Sequence, residues 1–324
     1  MVRSWQGLIA VWFCLATVWV SPGTAETYPS RPIRVIVPLT AGSVTDVVMR
    51  VLGTELSARM GKPWVIDDRP GGNMVIGHEA CARAAPDGYT LCAISSAGMS
   101  FNPFLLSDLP YDPGRDFTPI VNMFTVIEGV VASGTLPVSS IATLRALATA
   151  KSGVFNFATL GQGSTPDVFR QWLNEKWGTE FVGVAYKGGG EVASALLKGE
   201  VELGRIGVGN MASQLQTASV KVLAVDSIAR SPLLPVVPTA REVDLAYPIR
   251  PWWGLAAPAG TPEPIIVALN GEIRRLFGDP QITAFMIKQF VEPTAGSSGE
   301  FAKFLSSDRA QVGELVERFK IPRN

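Results

Sequence analysis

Ile33-Arg34-Val35-Ile36-Val37, followed by Gly42-Ser43-Val44-Thr45-Asp46, is a strand-like run that passes through a glycine into a hydroxyl-capped helix start. The same order of residue types returns at Phe155-Asn156-Phe157-Ala158, followed by Gly161-Gln162-Gly163-Ser164-Thr165-Pro166. Such a turn leaves backbone N–H groups without partners at the positive end of a helix dipole. It therefore holds a carboxylate or phosphate with no charged side chain. A single turn of this kind reads equally as a plain helix cap. Two of them, in separate halves of one chain, point to a ligand held between them.

Outward from the first turn, Val44, Val48, Leu52, Leu56 and Met60 recur every fourth residue and predict a helix with one buried stripe, ended by Gly61. Trp64-Val65-Ile66 is the next strand. A loop at Gly71-Gly72-Asn73, a helix over Ile76 to Ala84 and a strand over Thr90 to Ile94 follow. Strand–helix alternation argues for a mainly parallel sheet covered on both faces, with ligands beyond the carboxyl ends of its strands. A second unit opens near Val126 to Ala132 and the helix Ile141 to Ala150. Its strands are predicted at Phe155 to Ala158, Phe181 to Val184, Val201 to Ile206 and Val220 to Val225, with helices at Pro166 to Trp177 and Glu191 to Lys198. Trp252 to Ala257 reads as a strand returning to the first unit, and helices at Pro264 to Phe277, Gln281 to Phe290 and Glu300 to Phe319 complete the chain. The predicted architecture is α/β and two-lobed, each lobe a mainly parallel sheet flanked by helices. Residues 26–126 with 248–324 form one lobe and residues 127–247 the other, with a hinged cleft between them.

Residues 1–25 read as a cleaved signal peptide: Arg3, an apolar run from Leu8 to Val20, then Gly23 and Ala25 at the cleavage site. The run is too short to span a hydrocarbon core of about 30 Å. Trp12 and Phe13 stand where a lipobox before Cys14 needs small residues. The chain carries 28 basic and 28 acidic side chains, with no basic cluster of the kind a phosphate backbone demands, so nucleic acid is excluded as a partner. His78 is the only histidine and no Cys-x-x-Cys spacing occurs, which argues against a metal site, a cofactor and a Ser-His-Asp enzyme. His78 is expected on a surface or half-buried helix face. Cys81 and Cys92 read as neighbours or as two small core residues, and no disulfide is predicted between them.

Tyr28-Pro29-Ser30-Arg31-Pro32-Ile33-Arg34, Asp68-Arg69-Pro70-Gly71, Ala84-Ala85-Pro86-Asp87-Gly88-Tyr89-Thr90, Asn102-Pro103, Leu109-Pro110-Tyr111-Asp112, Gly163-Ser164-Thr165-Pro166, Tyr186-Lys187-Gly188 and Ala257-Pro258-Ala259-Gly260-Thr261-Pro262 follow one another in this chain. In that order and spacing the chain resembles the Bug family, the extracytoplasmic solute-binding receptors of tripartite tricarboxylate transporters, over essentially its whole mature length. The resemblance implies the type II periplasmic binding protein fold. It also implies a carboxylate held, partly through water, by the loop Leu39, Thr40, Gly42, Ser43, Val44 and Thr45, with Thr159, Gly161, Ser164 and Thr165 from the second lobe. Ser95 and Ser96, Tyr186, and Gly188 and Gly189 would line the same cleft. Trp252 or Trp253 would supply an aromatic wall, since alternation sends one ring each way.

Three departures from the family pattern bear on specificity. The first loop, usually Pro-Gly-Gly-Ser-Thr-Asp, reads Ala41-Gly42-Ser43-Val44-Thr45-Asp46 and has lost a hydroxyl. Asp167 replaces a histidine, and either serves the helix dipole from outside the cleft or repels an anion from inside. Arg205 stands where relatives carry an apolar residue followed by aspartate. It either grips a second acidic group of the ligand, an interaction of about 1.5–3 kcal/mol, or sits on the surface at a strand end. The implied function is capture of a small carboxylate in the periplasm by a monomeric receptor without catalysis. The closed complex is then presented to a tripartite tricarboxylate permease or, alternatively, to a membrane sensor.

Overall fold

The computed structural model describes residues 28–323 apart from 216 and 218, so the expected leader over residues 1–25 lies outside the described residues. The first unit is β1 (Ile33–Val37), α1 (Val44–Met60), β2 (Trp64–Asp68), α2 (Val75–Ala82) and β3 (Thr90–Ser95). A π turn over Ala97–Phe101 runs into the short α3 (Asn102–Leu105), then β4 (Phe117–Val126). The second unit is β5 (Glu128–Ser133), α4 (Ile141–Ala150), β6 (Asn156–Thr159), α5 (Thr165–Trp177), β7 (Val182–Ala185), α6 (Gly189–Lys198), β8 (Leu203–Gly207), a 3-10 turn (Val208–Met211) and β9 (Val220–Val225). The chain then returns through β10 (Trp252–Pro258), α7 (Glu263–Phe277), α8 (Pro280–Lys288), β11 (Val291–Pro293) and α9 (Ser298–Arg318).

Local chemistry starts and stops these helices. Ser43 Oγ accepts from the Asp46 amide at the start of α1, and Gly61 closes the helix at φ 67°. Capping boxes open α4 at Ser140 and Thr143 and α9 at Ser297 and Glu300. The first sheet has the order β11-β4-β10-β3-β1-β2 and the second β7-β6-β8-β5-β9. In the first, β1 is parallel to β2 and β3, while β10 runs against both β3 and β4 and β11 against β4. In the second, β6 is parallel to β7 and β8, and β5 alone is reversed against β8 and β9. Most strands of each sheet therefore point one way, as the alternation predicts; of the reversed strands, β10 and β5 directly follow the crossings between sheets and β11 follows α8.

Four connections join the units. Ile127 is the whole of the first crossing between β4 and β5, and residues between β9 and β10 form the second. The third is noncovalent. Phe290, at the end of α8, packs with Ile127, Val208, Val225 and Val237, and its carbonyl accepts from the Ile127 amide at 2.9 Å. Helix α9 also spans the division. Phe301 and Leu305 pack with Trp252 and Ile94 of the first sheet, whereas Val312, Leu315 and Val316 join Phe157, Val168 and Phe169 of the second unit.

Candidate ligand-binding site

The two glycine turns have one architecture. In the first, the Gly42 amide donates to Asp46 Oδ2 at 2.7 Å and the Asp46 amide to Ser43 Oγ at 3.2 Å. In the second, the Gly163 amide donates to Asp167 Oδ2 at 3.0 Å. Ser164 Oγ, instead of capping α5, accepts from the Leu160 amide at 3.1 Å and donates to the Gly161 carbonyl at 2.6 Å. Gly42 and Gly163 have φ of 82° and 73°, the left-handed region where a side chain is strained. The shared unit is Gly-Ser-x-x-Asp, with the acid reaching back four residues to the glycine amide. Each acid is buried and held by an arginine on its own helix: Asp46 by Arg50 at 2.6 Å, Asp167 by Arg170 at 2.8 Å. Thr159 Oγ1 accepts from the Gly161 amide at 3.3 Å. The amides of Val44 and Thr45, and those of Gln162 and Thr165, find no acceptor among the described residues. A third helix start, at α6, has the extended Gly188 as its N-cap and no side-chain cap, and the Lys187 amide is held by Glu191 Oε2 at 2.9 Å.

Parallel pairing places these turns at the carboxyl edges of the two sheets. Thr159 lies in register with Ala185 on the second sheet, and the Tyr186 amide donates to the Thr159 carbonyl at 2.9 Å, so the Gly161 turn and the half-buried Tyr186 are neighbours. On the first sheet β1 and β3 run side by side, which sets the loop after Val37 beside Ser95. The 3-10 turn after β8 joins the two edges. A Cβ on Gly209 would fall 3.3 Å from Val44 Cγ2 and 2.8 Å from the Gln289 carbonyl, and one on Gly189 would fall 3.1 Å from Asn210 Nδ2. Val44 of the first unit and Gly189 of the second are thus brought to the same short turn. Gly209 and Asn210 were not expected from sequence, although the Gly-Val-Gly-Asn run directly after a strand is the signal that marks them. Leu39 and Ser43 are half-buried and Thr40 is exposed beside them, while Thr45 is sealed. Ser95 and Ser96 are buried, and Ser95 Oγ contacts Met74 Sδ at 3.2 Å.

Several expectations are corrected here. Arg205 is neither in the cleft nor on the surface. Its side chain is 2% exposed and paired with Glu128 at 2.9 Å and Asp226 at 2.7 Å, with its guanidinium 4.8 Å from the rings of both Phe169 and Tyr247. Its strand face is the one that carries Leu203 into the core of the second unit, so both carboxylates reach it before any ligand does. Trp252 is buried against Phe301 and Phe304 and donates from Nε1 to Asp308 Oδ2 at 2.8 Å. Trp253 is buried on the opposite face of β10, because helices cover both faces, so neither ring forms a cleft wall. Asp167 turns into its own loop and neither faces outward to solvent nor presents a free charge to the cleft. Cys81 on α2 and Cys92 on β3 are joined as a disulfide across 5.9 Å between their Cα atoms, a pairing that was not predicted. His78 is fully buried beside Tyr111 and Phe117.

Burial lowers the His78 pKa from 6.5 to about 4, while burial, opposed by Arg205 and reinforced by Asp226, raises that of Glu128 from 4.5 to about 7. The two act in opposite directions on stability. An imidazole kept neutral in the folded state contributes stability that is lost as pH falls from 6.5 through 4. A carboxyl whose ionised form is disfavoured in the folded state gives a contribution to stability that is gained as pH falls from 7 to 4.5. The expected result is a thermal midpoint that changes less on acidification from pH 6.5 to 4.5 in the natural protein than in Glu128→Gln, where the gain from Glu128 is gone and the loss at His78 is not offset by it. Parallel pH profiles of the two midpoints would contradict the assignment.

Among the described residues no group of three His, Cys, Asp or Glu side chains is placed to hold a metal ion. A cavity of about 900 Å³ lies between α4, Trp177 and residues 236–244 and involves none of the glycine turns. Its wall is mainly alanine, valine and other apolar groups, which do not suit an anion.

Residues 48–321 match the family model described as the tripartite tricarboxylate transporter family receptor. The chain is 31% identical over 306 residues to the protein BugT of Bordetella pertussis, with 93% of each chain covered. Among solved structures, it superposes on an R. palustris protein with adipate at TM-score 0.84 and 27% identity, covering 92% of this chain and 100% of that one. It superposes on MatC of Rhodopseudomonas palustris with bound malate at TM-score 0.77 and 27% identity, covering 89% and 100%. With two mixed sheets joined at their carboxyl edges, paired glycine turns at those edges and a family match over most of its length, the chain belongs to the tripartite tricarboxylate transporter receptor family, the group that includes the Bug proteins.

Proposed function

We propose that this protein is a periplasmic, non-catalytic receptor that closes two lobes on a small carboxylate and delivers it to a tripartite tricarboxylate permease. The observation that carries this reading is the repeated Gly-Ser-x-x-Asp turn, each copy leaving two amides free while the acid that shapes it is neutralised by a neighbouring arginine. A helix N-terminus with free amides favours a negative group, and two such groups set at facing sheet edges suit a ligand with an acid at one or both ends. Adipate and malate in the similar structures are of that class. Residues 26–126 with 248–324, and 127–247, would act as the closing bodies, with residues 1–25 removed as a leader on export. The ligand set is Leu39, Thr40, Gly42, Ser43, Val44 and Thr45 with Ser95, Ser96, Thr159, Gly161, Ser164, Thr165, Tyr186, Gly188 and Gly189, joined by Gly209 and Asn210.

A thermal-shift screen of the mature chain against mono-, di- and tricarboxylates tests this. A ligand at a hundredfold excess over its Kd stabilises by about 2.7 kcal/mol. The expected outcome is a rise in midpoint with at least one aliphatic carboxylate and recovery of that compound unaltered. A shift only with uncharged or cationic solutes, or turnover of the bound compound, would count against the reading.

A further inference from the structure

The crossing at Ile127, the crossing between β9 and β10, and strand β11 meet in a chain of alternating charges. At its inner end Arg205 of β8 holds Glu128, the first residue of β5, at 2.9 Å and Asp226, the first residue beyond β9, at 2.7 Å. The Glu128 amide donates to Asp226 Oδ1 at 2.9 Å, and Arg205 donates to the Ile249 carbonyl at 3.1 Å, so both covalent crossings are tied to this one guanidinium. Further out, Arg250, at the end of the second crossing, lies 4.0 Å from Asp226 and 2.6 Å from Glu292 of β11. Glu292 also accepts from the Ile228 amide at 3.0 Å. β11 belongs to the first sheet, whereas Ile228 and Arg250 lie on the segment that leaves the second sheet after β9 and re-enters the first at β10.

The two ends of this chain differ in a way that assigns them different roles. The Arg205 side chain is 2% exposed, and breaking its pairs would strand charges in the interior. The outer pair is accessible, with Arg250 27% and Glu292 21% exposed, so water takes over each group when they part. Any displacement of β11 relative to the start of the second crossing must break Ile228–Glu292 and part Arg250 from Asp226, while Arg250 keeps its hold on Glu292 and the ion pairs of the inner cluster stay intact. We infer that Glu292 is a positioning residue: a brace from the first lobe onto the second crossing that sets which lobe arrangement the ligand-free protein populates. This rests on the proposal that the lobes move about the crossings to take up ligand. When only a fraction of molecules is competent to bind, the apparent affinity is reduced by that fraction, so a brace remote from the ligand changes affinity without touching it.

The test is a ligand-free interlobe distance distribution, measured between labels at Arg83→Cys and Lys198→Cys. Both positions are well exposed, and Cys81 and Cys92 are closed in a disulfide. Glu292→Gln, which keeps an acceptor for Ile228 but loses the charge, is expected to shift or broaden the distribution, and Glu292→Ala to do so further. Arg250→Gln, which removes the cation beside Glu292 but leaves the acceptor for Ile228 in place, is expected to change it less than Glu292→Ala. Apparent Kd for malate or adipate, whichever the natural protein binds, should change by threefold or more in Glu292→Ala, with a thermal midpoint close to the natural one because the pair is solvent-accessible. An unchanged distribution in both Glu292 variants, or an effect of Arg250→Gln as large as that of Glu292→Ala, would overturn the inference. Because the distances are read without ligand, absence of any carboxylate binding would sink the receptor reading while leaving the brace to be judged on its own distributions.

Discussion

Replacing Arg205 with alanine is expected to lower the thermal midpoint by on the order of 10 °C, through a loss of about 3–5 kcal/mol. The side chain is 2% exposed and lies between two carboxylates and two aromatic rings. Removing it leaves Glu128 and Asp226 close together with no cation between them, and also withdraws the donor to the Ile249 carbonyl. The magnitude comes from stranded charge and not from the ion pairs themselves, since a buried pair largely cancels its own desolvation. Combining Arg205→Met with Glu128→Gln and Asp226→Asn should therefore recover most of the midpoint. A midpoint for Arg205→Ala within about 2 °C of the natural one would contradict the buried assignment and reopen a place for this arginine in the cleft.

Asp167→Ala is expected to weaken carboxylate binding tenfold or more, whereas Asp167→Asn is expected to bind at least as tightly as the natural protein. The Asp167 carboxylate accepts from the Gly163 amide at 3.0 Å, Gln171 at 3.0 Å and Arg170 at 2.8 Å, and so fixes the turn that presents the Gln162 and Thr165 amides. Gly163 is also wedged, since a Cβ there would come 2.9 Å from Leu105 and 3.0 Å from Ile321. Alanine removes the acceptor and leaves the turn without its anchor. Asparagine keeps an oxygen for Gly163 and withdraws a negative charge from the neighbourhood of an anion. Tenfold in Kd is about 1.4 kcal/mol, within the range of a charge-assisted hydrogen bond. Equal affinities in the two variants, read by calorimetry with the best carboxylate of the thermal-shift screen, would show that the turn does not shape the site.

What was legible in the sequence is what is decided locally. The α1 start needs only Ser43, Asp46 and a fourfold apolar spacing, and the helix appears over Val44–Met60 as those residues dictate. Helices α5 and α6 and strand β9 likewise fall within two residues of their expected bounds. Strand β4 was missed because Thr118, Pro119 and Asn122 interrupt its pattern, and its existence rests on pairing with β10 and β11, far away in the chain. Alternation sent Trp252 and Trp253 to opposite faces of their strand, but neither it nor the spacing around Arg205 told what covers those faces. That depends on α5, Tyr247 and α9, none of which is near them in sequence. The disulfide joins residues 11 apart, and the decision lay in how α2 packs on β3. Gly209 escaped notice because its constraint, the Gln289 carbonyl and Val44, comes from the other unit.

Amide hydrogen exchange, with and without the carboxylate that gives the largest thermal shift, tests the central claim most directly. Binding is predicted to protect peptides covering Val44-Thr45 and those covering Gln162 to Thr165 together, since the free amides of both turns are taken by one ligand. Protection of one turn alone, or protection confined to the cavity walled by α4 and Trp177, would contradict it.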